Sequence, residues 1–167
     1  MNTTQKELTA ELMARMSEED RRIAGSITGC LTALGYTPQR QKVRDFVLSF
    51  ASSRVKQTIA KIGVRSGRDA GVFYSIKFYA CKNPPEKYSK AVRAAALRSI
   101  AQYRCADCGI CGAADGERGY RVAMPDGSEF LRCGAYVVEI PELTEEDADE
   151  FCRLVREQHT YFLSRNR

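Results

Sequence analysis

The sequence predicts an α+β fold: an antiparallel sheet, amphipathic helices towards both ends of the chain, and a small cysteine-rich loop and hairpin. Two observations carry this. Apolar residues recur at helical spacing near the termini and alternate in the middle, without the strand–helix–strand repetition of a parallel sheet. Three cysteines at three-residue intervals then separate a helical stretch from a pair of strands. Residues 1–167 read as a single α+β domain, with 103–136 as the loop and hairpin inside it. At 44% hydrophobic and 28% charged, the chain falls outside the weakly hydrophobic class that stays disordered.

Gln5–Arg15 has helical composition and an apolar stripe at Leu8, Leu12 and Met16. Ser17 is placed to cap a second helix, with Asp20 three residues on and Glu18 and Glu19 at its positive end. Ile23, Ile27, Cys30, Leu31 and Leu34 share one face, and Gly35 is placed to stop the helix. After Pro38 the period shortens. Phe46, Leu48 and Phe50 alternate with Asp45, Val47 and Ser49, which predicts a strand over Arg44–Ala51 with one buried face. Arg54–Val64 fits two patterns: Val55, Ile59 and Ile62 suit a helix, whereas Ala60, Ile62 and Val64 suit a strand. Gly63–Gly67 reads as a basic turn that matches no phosphate-loop fingerprint. Val72–Ala80 is the strongest strand signal, rich in aromatic and β-branched residues.

Pro84 and Pro85 are expected to open a helix reaching Gln102, because proline at the first turn loses no helical hydrogen bond. Gly119–Met124 and Glu129–Cys133 flank Pro125-Asp126-Gly127-Ser128, a turn between two strands. Tyr136–Ile140 reads as a further strand. Thr144 with Asp147 forms a second capping box, and the helix it starts is expected to bury Ala148, Phe151, Val155 and Phe162.

The chemistry concentrates in Cys105-Ala-Asp-Cys108-Gly-Ile-Cys111-Gly112. Seven cysteines is an odd number, and a chain of this length does not need disulfide staples. Two residues between cysteines let both thiolates reach one ion, and Gly109 and Gly112 supply permissive backbone. Cys133 lies 22 positions beyond Cys111, and the Pro125–Ser128 turn would fold it back towards the loop. The expected metal ligands are therefore Cys105, Cys108, Cys111 and Cys133, with zinc in a closed tetrahedral site. The same spacing suits an iron–sulfur cluster, although Gly134 stands where ferredoxins usually carry proline. An unligated dithiol is the third reading. Four protein ligands would leave no open position for catalysis.

Elsewhere the catalytic signals are thin. His159 is the only histidine and reads as a packed or surface helix residue, which leaves no basis for a Ser-His-Asp or Cys-His set. Cys30, Cys81 and Cys152 read as structural. Charge is uneven: residues 37–104 hold 15 Lys/Arg against 3 Asp/Glu, net +12, and the rest holds 11 against 18, net −7, for +5 in all. The basic middle either meets an anionic partner such as a nucleic acid or is neutralised by the acidic ends. Phe73, Tyr79 and Lys77 would suit base stacking on an open sheet face, with sheet core as the competing reading. No apolar run approaches a membrane span, and the polar N-terminus lacks a signal peptide, so a cytoplasmic protein is expected.

Several segments stand out as a set: Lys77-Phe78-Tyr79-Ala80-Cys81, the loop from Cys105 to Cys111, Pro125-Asp126-Gly127, and Arg132-Cys133-Gly134-Ala135-Tyr136. Glu139-Ile140-Pro141-Glu142-Leu143-Thr144 and Glu157-Gln158-His159-Thr160-Tyr161 complete it. Through them, residues 44–163 resemble a group of small uncharacterised bacterial proteins with a Cys-x2-Cys-x2-Cys loop and a later Arg-Cys-Gly-Ala-Tyr segment. The resemblance implies a stand-alone bacterial protein of the cytoplasm and carries over no activity. The resulting expectation is a non-enzymatic binding or regulatory module. Iron–sulfur electron transfer or redox sensing, and nucleic-acid binding through residues 37–104, are the alternatives.

Overall fold

The computed structural model describes residues 2–77, 89–100, 119–123, 126–133, 137–141 and 143–165. Of residues 96–100, 119–123, 130–133, 141 and 165 it describes the backbone alone. The elements run α1 (Thr3–Met13), α2 (Glu18–Ala33), β1 (Thr37–Arg40), β2 (Phe46–Ser52), β3 (Gln57–Arg65) and β4 (Gly71–Lys77). After these come α3 (Lys90–Ile100), β5 (Gly119–Ala123), β6 (Glu129–Cys133), β7 (Val137–Pro141) and α4 (Glu145–Arg165).

The chain is α+β. Five antiparallel strands in the order β1-β2-β3-β4-β7 form the main sheet, and β5-β6 form a separate antiparallel pair. One face of the main sheet carries Phe46, Leu48, Phe50, Ala60, Ile62, Tyr74, Ile76, Val138 and Ile140, all in the hydrophobic core. Ile23, Ile27 and Leu31 from α2 and Phe151, Leu154 and Val155 from α4 complete that core, with Leu12 from α1 and Val92 and Ala95 from α3.

The helix ends follow the sequence signals. The Ser17 hydroxyl accepts from the Asp20 amide at 3.1 Å, and the Asp20 carboxylate accepts from the Ser17 hydroxyl at 2.6 Å. At the other end of α2, Tyr36 N–H donates to Leu31 O and Gly35 N–H donates to Thr32 O, both at 3.0 Å. Gly35 sits at φ +82°, and this paired arrangement satisfies two otherwise orphaned carbonyls. Thr144 and Asp147 bond reciprocally, side chain to backbone amide, at the start of α4. The expected α4 residues Ala148, Phe151, Val155 and Phe162 are all buried.

Four expectations change. The ambiguous stretch is strand β3, and its helix-like spacing has a cause. Register shifts between Phe50 and Ala51, so Ile59 is an extra residue, and both Ile59 and Ala60 belong to the core. A bulge thus produces the three-residue spacing of Ile59 and Ile62. β2 is buried on both faces, because Val47 and Ser49 are covered as well as Phe46, Leu48 and Phe50. The turn read at Gly63–Gly67 is shorter: Gly63, Val64 and Arg65 pair within the sheet. α3 is capped by Ser89, whose hydroxyl accepts from Val92 N–H at 3.3 Å, so it starts after the two prolines. Residues 84 and 85 lie outside the described residues. β1, which has no apolar alternation, is an edge strand where Pro38 is tolerated. Among the described residues no helix is long and apolar enough to cross a membrane.

Candidate functional site

Cys105, Cys108 and Cys111 lie outside the described residues, as do Cys81 and Tyr79. Cys133 closes β6, and its backbone is directly opposite Gly119, the first residue of β5. Gly127 at φ +82° and the Asp126 carboxylate, which accepts from Ser128 N–H and Oγ–H, shape the connecting turn. Those two bonds hold the Asp126 carboxyl below its ordinary range, the hydroxyl contributing most. Among the described residues no three His, Cys, Asp or Glu side chains come together as a metal-binding group.

The other two described cysteines face each other between α2 and α4. Cys30 Sγ donates to Cys152 O at 3.7 Å, and Cys152 Sγ donates to Ser26 O at 3.9 Å. Burial, with the Cys30 thiol beside it, pushes the Cys152 thiol up to about 12. A thiol so reluctant to ionise is a poor nucleophile, consistent with structural packing. His159 is buried on α4, and its Nδ1 lies 3.1 Å from the Tyr36 hydroxyl. Burial and then Arg54 lower the His159 pKa, while burial raises that of Tyr36. The pair ties α4 to the residue following the α2 cap, and among the described residues it forms no nucleophile–base set.

The outer face of the sheet is more informative. Phe73 is 8% exposed, and its ring lies across Gly63. A Cβ built on Gly63 would meet Phe73 ring carbons at 2.5 and 2.6 Å. The Arg65 guanidinium lies 4.3 Å from the centre of the same ring and makes a two-pronged ion pair with Glu139. Phe73 is therefore enclosed between backbone and guanidinium, which removes it as a base-stacking platform. Tyr74 and Ile76 face the core, as alternation requires.

Several described cations of the basic middle lie in different places. Arg65 reaches the acidic C-terminal part through Glu139. Arg40 stacks on Phe46 at 4.3 Å, with Arg15 on the same ring at 4.6 Å. Lys42 and Arg44 lie at the β1–β2 tip, and Arg68 lies in the adjacent β3–β4 turn. Arg54 and Lys56 lie at the opposite end of the sheet. Asp45 links the first two tips by accepting from Ser66 N–H and Oγ–H, which holds its carboxyl below the usual range.

Sequence reasoning missed one feature altogether. An open groove of about 350 Å³ lies over β1 and the β2–β3 turn, lined by Gly35, Thr37, Gln39, Ser53, Lys56 and Thr58 among others. Its one signal in the sequence was Ser53-Arg54-Val55-Lys56 between two strands, which the helix-like spacing of Val55 and Ile59 obscured. Comparison with protein families, curated proteins and solved structures finds no match.

Proposed function

We propose that Cys105, Cys108, Cys111 and Cys133 hold one zinc ion in a closed structural site, and that the chain acts as a non-enzymatic binding or regulatory module. The observation that supports this most is the rung Gly119↔Cys133. Along the sequence, Cys111 and Cys133 are 22 positions apart, but Gly119 is only 8 beyond Cys111. Closing an 8-residue rather than a 22-residue loop lowers the entropic cost by about 0.9 kcal/mol at (3/2)RT ln(22/8). That help is small beside the ~10–16 kcal/mol with which structural zinc binds thiolate peptides. The hairpin favours the fourth ligand, and the metal supplies the energy. With four thiolates the ion would order the loop and leave no position for substrate.

The test is elemental analysis of the full chain purified without oxygen, alongside Cys133→Ser. A colourless protein with one zinc per chain, lost or much weakened in the variant, is the expected result. A brown protein containing iron favours the cluster. A metal-free wild-type chain overturns the reading. Nucleic-acid contact through residues 37–104 predicts binding that weakens steeply with salt.

A further inference from the structure

We propose that the groove over β1 and the β2–β3 turn binds a small phosphate-bearing ligand, with Lys56 as its principal charge. Three observations carry this independently of the metal site. The groove is lined by hydroxyls, amides and one ammonium: Thr37, Ser53 and Thr58, Gln39 and Gln57, and Lys56. No carboxylate lines it among the described residues. At about 350 Å³ it is large enough for a sugar phosphate.

The donors are also arranged for an acceptor-only ligand. Gln57 Oε1 accepts from Lys77 Nζ at 3.4 Å, which leaves its amide nitrogen to donate. The same bond sets a second cation, Lys77, beside a lining residue without its lining the groove itself. Lys61 stands one row further along the same face, opposite Ser49. Thr37 Oγ1 commits its proton to Ala51 O at 3.4 Å, so donation to such a ligand falls to the other lining groups. The ligand class that complements such a wall carries several oxygen acceptors and negative charge.

Lys56 itself is the third observation. It is the only non-glycine residue among those described with positive φ, at +50°. Turn chemistry gives such a position to glycine or asparagine, which adopt it at little cost. A lysine held there keeps a charge where local conformation disfavours it, and an outlier of this kind points to a use for the side chain. No carboxylate lies within ion-pair distance of Lys56 among the described residues, and its side chain is exposed at the groove edge.

Amide-resolved NMR titration of the full chain tests this, with inorganic phosphate replacing chloride at constant ionic strength and ribose 5-phosphate as a second probe. Saturable shifts are expected at Thr37, Ala51, Ser53, Lys56 and Thr58. Lys56→Gly removes the charge and relaxes the backbone, so lost binding cannot be blamed on lost folding. It should weaken binding at least about tenfold, the scale of one charged hydrogen bond. Lys42→Gln, at the far end of the sheet, removes the same charge and should leave affinity unchanged. Absence of saturable shifts in the groove overturns the proposal. So does equal weakening by both variants, or unchanged affinity in Lys56→Gly. Tighter binding of a single-stranded oligonucleotide, with shifts spreading beyond the groove, would replace the small ligand by a polymer and likewise overturn it.

Discussion

Replacing Gly63 by alanine puts one methyl group into a fully occupied space. The new Cβ would lie 2.5 and 2.6 Å from two Phe73 ring carbons and 3.0 Å from Val47 Cγ2. Ordinary carbon contacts are ~3.5–4.0 Å, so the ring must move by about 1 Å. It is not free to do so cheaply, because Arg65 stacks on it and is itself fastened to Glu139. Overpacking of this sort costs about 1–3 kcal/mol, while alanine returns ~0.4–1 kcal/mol by restricting the unfolded chain. The net expectation is a loss within about 0–2.6 kcal/mol, towards the upper part because the ring is held in place. Urea unfolding should show a lower midpoint at unchanged slope, with Tm falling by roughly 2–8 °C. Combining Gly63→Ala with Phe73→Leu removes the ring that is struck, so the pair should be less destabilised than the sum of the singles by ~1 kcal/mol or more. A Gly63→Ala chain as stable as wild type, or strictly additive behaviour of the pair, would refute the enclosed-ring argument.

Two further outcomes follow from the packing and the buried histidine. His159 has a folded pKa below its ordinary 6.5, so it folds neutral and charges more readily once unfolded. Below pH 6.5 the unfolded chain binds the extra proton, and stability falls as pH drops from there towards the lowered folded value. Unfolding curves at pH 7.5 and 5.5 should show this loss, and His159→Gln should reduce it; an identical pH dependence in the variant counts against the assignment. Leu31, fully buried in the core, should cost ~2–5 kcal/mol on truncation to alanine, readable as a lower urea midpoint. A cost under about 1 kcal/mol would mean that the α2 side of the core is less well packed than described.

The helix starts and stops were legible because they are local. Ser17, Gly35 and Thr144 each act within about one helical turn, and each behaves as its sequence context requires. The buried stripe of α4 was legible for the same reason. β3 was not, because a bulge breaks the period of two and only the partner strand defines where it falls. Burial of Val47 and Ser49 was also out of reach, since it depends on what crosses the outer face from other strands. Phe73 shows the limit most clearly. Its strand was plain, but its closure by Gly63, Arg65 and Glu139 combines β3 and β4 with β7, which is far off in sequence.

The rung joining Lys77 to Val137 has a consequence for how the protein can be taken apart. β4 and β7 are neighbours running in opposite directions, so the last described residue of β4 stands opposite the first described residue of β7. A two-residue hairpin turn could bridge that step. In sequence, residues 78–136 are an insertion between two neighbouring strands of the main sheet, and β5 and β6 within it pair with each other. Without it the main sheet would forfeit Val92 and Ala95 from its interior, but every other strand would keep its neighbour. Among the described residues that rung is the strand junction between the sheet and the inserted segment, while α3 ties the two together through the shared core.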